Sequence, residues 1–533
     1  MIISYNLLPY SGAWTKVEAG HLLRRTMFGP SNQQMLNAVS NGLNSTVSSL
    51  MNIPLVDKPL SFRDEEGIAS IGSTWVTSLY PVDNEMKNNT NTARVKSLNA
   101  WIMENINNEQ NDLSIAEKMC LFWQNHFGVS PTADARGSFN YLVLLRQHAL
   151  GNFKELTKAV SINPEMLVFL NGNKNSVASP NENFARELLE LFTIGKGPQV
   201  GPGDYTNYTE YDISECAKIL TGYIVKGNRS STETSNYAEY VDFKHDGTIK
   251  TLSSKFGNAE IQPNGADEYA DLLDVIFLQD EVSKHICRKL YRYFVGSEIS
   301  TKVEDNVISG LSTTLKDNSF EIKPVLEQLF KSEHFYDESL RGCLIKSPLD
   351  MFFSIWNGTQ TKADYDLDTR YNMYLAVYYQ GNKLDQAYLK PTSVAGWPAY
   401  YQEPSYTRLW LNASLIKERF DIIQWWVKRG GIKKNGLSFS VEGLFFLNNL
   451  PNANNATSVI DNMVEVFLPK GTTASQKLNL KSILTDGLPD FEWTIQYNEY
   501  LLNLDDPVYV NPIVKRIKET LAALFILPEF QTV

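Results

Sequence analysis

Apolar side chains recur at three- and four-residue intervals through most of the first 221 positions, for example in 17–27, 94–106 and 114–127. A helix turns about 100° per residue, so this spacing gathers them on one face and predicts an all-helical lobe from about residue 14 to 221. Between 222 and 262 the period shortens. The pieces YIVKG, YVDFKHDG and TIKTL, set apart by Gly, Asn and Ser, predict a small β-hairpin insertion. Helical spacing returns at 266–278, 283–295, 302–315 and 322–334, then at 408–428 and 512–527. The intervening 356–406 is rich in Asn, Tyr and Gly, and predicts a long irregular loop whose aromatic content argues against disorder. The expected fold is mainly α and two-lobed: an N-terminal helical lobe over 1–221, a β insertion over 222–262, and a mainly helical C-terminal lobe over 263–533.

The run SPNENFARELLELFTIG at 179–195 is the most strongly patterned helix. Phe184, Ala185, Leu188, Leu189, Leu191 and Phe192 share one side, while Glu182, Asn183, Arg186, Glu187 and Glu190 share the other. Ser179 is expected to cap it, with Pro180 at the first helical position and Glu182 closing a capping box. Gly195 and Gly197 are expected to end it. Arg186 lies four residues from both Glu182 and Glu190, and the crowded polar face suggests that it is buried among carboxylates rather than dissolved at the surface. A second capping box, Thr209 with Asp212, predicts a helix over 210–222.

Composition narrows the classes. The 533 residues carry 49 Lys and Arg against 60 Asp and Glu, a net charge of −11, so the chain has no general attraction for phosphate backbones and nucleic acid is not an expected partner. No apolar run reaches the ~18 residues of a membrane span. The amino terminus lacks the basic and apolar regions of a secretion signal, which reads as cytoplasmic, or as an exported protein whose leader precedes this sequence. Cys120, Cys216, Cys287 and Cys343 are too dispersed for a zinc or redox motif and read as buried free thiols.

Several long tracts occur in order: HLLRRTMFGPS at 21–31, LFWQNHFGVS at 121–130, NENFARELLELFTIG at 181–195, YTEYDISECAKILTGY at 208–223, the His245-Asp246 pair, KLYRYFV at 289–295, IKSPLD at 345–350 and VAGWP at 394–398. Together they resemble the bacterial proteins grouped as domain of unknown function family 1800. The resemblance spans nearly the whole chain and brings with it no activity, cofactor or catalytic residue.

Candidate chemistry therefore rests on residues. Glu187 and Glu190 are candidates for an acid–base pair, held by Arg186 with Asn183 beside them. His126, at the end of LFWQNHF, is a candidate acid, base or ligand. His126, His245 and Asp246 are candidate ligands for a divalent metal such as zinc, manganese or iron, although Asp246, followed by Gly247, better suits a turn bonded to its own backbone. Trp397, Tyr400 and Tyr401 lie in an irregular aromatic stretch suited to holding substrate. Lys284, Arg288, Lys289 and Arg292 form a basic face that reads as solvated. The expected function is a hydrolase or lyase acting on a polymer, a glycan for instance, in a cleft between lobes. The rival is a binding or assembly protein with a structural ionic network, partnered by a polymer or another protein.

Overall fold

A computed structural model describes residues 4–108, 113–130, 134–434 and 436–533. The chain is mainly helical, and the strands among the described residues form four small two-stranded antiparallel sheets. Two of these are the expected insertion: Tyr223–Lys226 pairs with Tyr237–Tyr240, and Lys250–Thr251 with Glu260–Ile261. The other two pair Gln199–Gly201 with Asp204–Tyr205 and Ile432–Lys434 with Leu437–Phe439, two or three residues a side, too short to leave a period in the sequence.

Buried apolar residues collect into two cores. One unites Leu22 and Leu23 of the Lys16–Thr26 helix with Trp123, Phe127, the arc from Phe184 to Phe192, Ile213, and Ile286, Leu290 and Leu326. The other unites Trp101 and Ile102 of Asn84–Asn108 with Phe352, Trp356, Tyr374, Trp426 and Leu521. The chain interleaves them. Helix Asn84–Asn108 packs against Leu367–Lys383, whereas helices between 268 and 330 complete the core begun by the first helices. Ala116–His126 supplies both, with Leu121 in one and Trp123 in the other.

Local signals explain many helix ends. Thr209 accepts from the Asp212 amide while Asp212 reaches back to the Thr209 amide, so the second capping box forms as expected. The ionic helix starts differently. Residues 176–179 make a tight bridge, and the Asn181 amide donates to Asn175 Oδ1 (2.7 Å), whose own side chain is tied to Ala217 O. The helix therefore begins at Glu182 with Asn181 as its cap, in place of Ser179, Pro180 and the Glu182 box. After Glu187 it widens into a π-turn over Leu188–Phe192, and positive φ at Gly195 and Gly197 ends it as expected.

Three further expectations change. The stretch 356–406 is not one loop: Asp366 caps a helix over Leu367–Lys383, which leaves irregular chain at 359–366 and again from Leu384. Tyr371, Met373, Tyr374, Leu375, Val377 and Tyr378 are all buried there, so no polar stripe marks the helix. Cys343 is exposed, in the irregular segment that follows residues 338–340, while the other three cysteines are buried. The basic face of Asp280–Phe294 turns partly inward, because Val282, Ile286, Leu290 and Phe294 bury one side and draw Lys289 down with them. Among the described residues no helix is long and apolar enough to cross a membrane.

Candidate functional site

The π-turn has a chemical consequence at its end. Leu191 and Phe192 are its last two residues, so their carbonyls have no partner within the helix. Basic residues take them: Lys289 Nζ donates to Leu191 O (2.7 Å), His285 Nε2 lies 3.3 Å from the same oxygen, and His126 Nε2 lies 3.1 Å from Phe192 O. Cations and N–H donors suit the negative end of a helix. Lys289 Nζ also lies 3.1 Å from His126 Nδ1. His126 thus donates through Nε2 and accepts through Nδ1, a neutral tautomer fixed from both sides.

These groups line a partly open cavity of about 180 Å³, together with Asn125, Arg292, Tyr293, Tyr400 and Tyr401. Burial, followed by the Lys289 and His285 charges, holds His126 well below the usual imidazole range. His285 is held down in the same way, by burial and then Lys289. Lys289 is brought from 10.5 to about 7 by desolvation and the Arg292 charge. No carboxylate lies within ion-pair distance of it among the described residues, whereas Arg288 is taken by Glu304 and Glu281. Burial raises the Tyr400 phenol strongly. Tyr401 sits exposed at the mouth, its hydroxyl 3.2 Å from Ser393 Oγ.

Two glycines make the cavity possible. A Cβ on Gly128, at φ +28°, would lie 2.1 Å from Val394 O, and one on Gly396, at φ +93°, would lie 2.5 Å from Asn125 O. Backbone thus touches backbone from both sides, and Asn125 Oδ1 accepts from the Trp397 amide (2.9 Å). The clasp brings the NHFG end of one helix against VAGWP and delivers Tyr400 and Tyr401 to His126.

The other sequence candidates lie elsewhere. Glu187 and Glu190 do not line this cavity. Glu190 accepts from Tyr208 Oη (2.9 Å) and lies 3.6 Å from Lys196, while half-burial and then the neighbouring Glu190 raise the Glu187 carboxyl. Arg186 is not buried. Its side chain is 33% exposed, and it makes a two-pronged pair with Glu210 (2.8 and 2.7 Å), with Glu182 at 3.6 Å; Glu190 is not its partner. Asn183 is exposed, 3.5 Å from Leu170 O. Trp397 is wholly buried and anchors the loop, so its ring offers no platform.

His245 belongs to a separate buried network. Its Nε2 meets Glu268 (2.9 Å), Glu268 meets Lys250 (2.5 Å), and its Nδ1 faces Thr221. Asp246 Oδ1 accepts from the Thr248 amide, the turn that Gly247 suggested. His126 holds protein groups at both ring nitrogens, one of them an amine, which does not fit a cation at that position. Among the described residues no three His, Cys, Asp or Glu side chains gather as a metal group. A larger groove of about 830 Å³ between Lys16–Thr26 and residues 464–471 contains none of the candidates.

Sequence reasoning passed over Asn125, His285, Lys289 and Arg292 as site residues. The signal was present. His285, Lys289 and Arg292 follow at four and seven residues on one face, and Lys289 and Arg292 open a tract that carries the family resemblance.

The chain matches no curated protein and no solved structure. The family model described as "Protein of unknown function (DUF1800)" matches residues 21–532, and over that span, nearly its whole length, the chain belongs to this family.

Proposed function

We propose that the His126–Lys289 cavity is an active site for an acidic polymer, a uronate-containing glycan for instance, and that its reaction is elimination. The observation that carries this is an amine with a proton affinity near neutrality, held between a carbonyl and a neutral imidazole, with no carboxylate among the described residues to pair it. When neutral, Lys289 spends its hydrogens on Leu191 O and His126 Nδ1 and keeps its lone pair for a substrate proton. Hydrolysis by two carboxylates requires a flanking acidic pair, and among the described residues no acidic side chain lines this cavity. Elimination needs different parts. Arg292, with the Asn125 amide, neutralises the substrate carboxylate and so acidifies the adjacent C–H. Lys289 Nζ takes that proton, the C–H electrons become a C=C bond, and the β C–O bond breaks as its oxygen takes a proton from Tyr401.

At about 180 Å³ the cavity is smaller than the roughly 300–1,000 Å³ of drug-sized sites. It suits a terminal unit, so attack from chain ends is expected. The test is exposure to polyuronates with ultraviolet detection of the new unsaturated product. Activity should rise with pH through about 7 and vanish in Lys289→Met, while Glu187→Gln retains it. Turnover that survives Lys289→Met but not Glu187→Gln would overturn the assignment. The rival reading, a binding or assembly protein, draws on the Arg186–Glu210–Glu182 network, which is already satisfied without a ligand. It predicts polymer binding without product.

A further inference from the structure

On the far side of the Tyr293 and Tyr400 rings lies a second, much smaller cavity of about 20 Å³, large enough for one water-sized occupant. Its wall is rich in donors. Arg25 spends Nη2 on Leu340 O (2.7 Å) and Cys343 Sγ, yet its Nε and Nη1 are buried without an acceptor among the described residues. Arg24 spends Nη2 on Glu465 O and Val466 O, leaving Nε likewise. Trp410 Nε1 is a third such group. All three side chains are nine-tenths or more buried, at 3%, 7% and 3% exposure.

Charge points the same way. Lys118 and Asp350 also line the cavity, but they pair with each other, and Asp350 accepts from Ser347 Oγ as well (2.9 Å). Among the described residues no side-chain carboxylate lies within ion-pair distance of Arg24 or Arg25, and Arg419 adds positive charge close by, while burial pushes Lys346 toward its neutral amine. Buried donors and unpaired buried charge are both costly. A water accepts two hydrogen bonds and neutralises nothing. A monatomic anion accepts more and removes one charge.

We propose that this cavity is a structural halide site, filled by chloride under ordinary conditions. It locks the HLLRR helix end to the loop around Trp410, next to the larger cavity but independent of what that cavity does. The test uses the full chain transferred from chloride into sodium gluconate. At constant ionic strength, replacing gluconate with chloride or bromide should raise the melting temperature saturably, and crystals grown in bromide should show an anomalous peak beside Arg25 and Trp410. Trp410→Phe keeps the ring and deletes one donor; the halide Kd should weaken about tenfold, the size of one hydrogen bond to a charge. Superimposable melts in chloride and gluconate, or ordinary water density with no bromide peak, would overturn the proposal. Should the variant fail to fold, the wild-type melts and the bromide peak decide the question without it.

Discussion

Replacing Lys289 with methionine should change how stability depends on pH more than it changes stability at any one pH. Lys289 ionises near 7 in the folded protein against 10.5 for an ordinary lysine, chiefly because the cavity desolvates it. Between those values the unfolded chain holds a proton that the folded chain has lost. Folded stability must then rise with pH across that window, and below about 7 the full cost of a buried ammonium is present. The slope approaches about 1.4 kcal/mol per pH unit, with an upper limit of about 5 kcal/mol over the whole window. Methionine preserves length and apolar contact but removes the titration, along with the donors to Leu191 O and His126 Nδ1. Losing those donors costs about 1–3 kcal/mol without changing the slope. Equilibrium urea unfolding of wild type and Lys289→Met from pH 6 to 10, followed by tryptophan fluorescence, isolates the effect, because titrations that Lys289 does not touch cancel in the difference and those it does touch, His126 and His285, are held below the usual imidazole range by burial first. The variant should be relatively most stable at pH 6 and lose that advantage as pH rises. A difference that stays flat over the range would show that Lys289 titrates like a surface lysine, and the cavity's chemistry would fall with it.

Arg186→Ala should cost about 1 kcal/mol or less, since its pair with Glu210 is partly exposed; Arg94→Ala, which strands buried Glu66, should cost about 3–5 kcal/mol, and equal thermal shifts for the two would refute the distinction. Thr209→Ala removes a cap whose partner Asp212 is buried, so a loss of about 1 kcal/mol is expected by chemical denaturation; no loss would mean that the box is idle. Gly128→Ala should separate Asn125 from Trp397, because the new Cβ meets backbone that cannot swing aside. Its check is faster amide exchange at Trp397, and unchanged protection would show that the clasp yields.

What the sequence disclosed was local. The Thr209–Asp212 box is written within four residues, and the apolar arc from Phe184 to Phe192 is buried much as its spacing implies. The start of that same helix was not legible, because Asn175 decides it, and Asn175 is held by Ala217. Arg186 chose Glu210 on the next helix over Glu190 on its own, a contact that intrahelical spacing cannot register. Helix Leu367–Lys383 stayed hidden for a different reason: it is buried nearly all round and shows no stripe, and its many Tyr and Asn residues are weaker helix formers that dilute the Leu, Met and Ala among them. His126, Tyr400 and Tyr401 were each visible as candidates, and the cavity places them together. The lysine that gives the cavity its chemistry was read as solvated, since burial of a charge depends on neighbours distant in the chain.

The clasp between Asn125 and Trp397 spans 272 positions, and that separation sets a clock. A chain emerging from the ribosome makes Asn125 and His126 early, yet it holds no cavity until some 270 residues more have been added. Closing so long a loop is among the slower events in folding. The cavity is therefore absent from every nascent intermediate short of VAGWP, and it forms only as the two cores dock. Whatever the protein binds there, it binds only after Tyr401 has been made and the clasp has closed, so ligand capture doubles as a report that the chain has been built and folded at least that far.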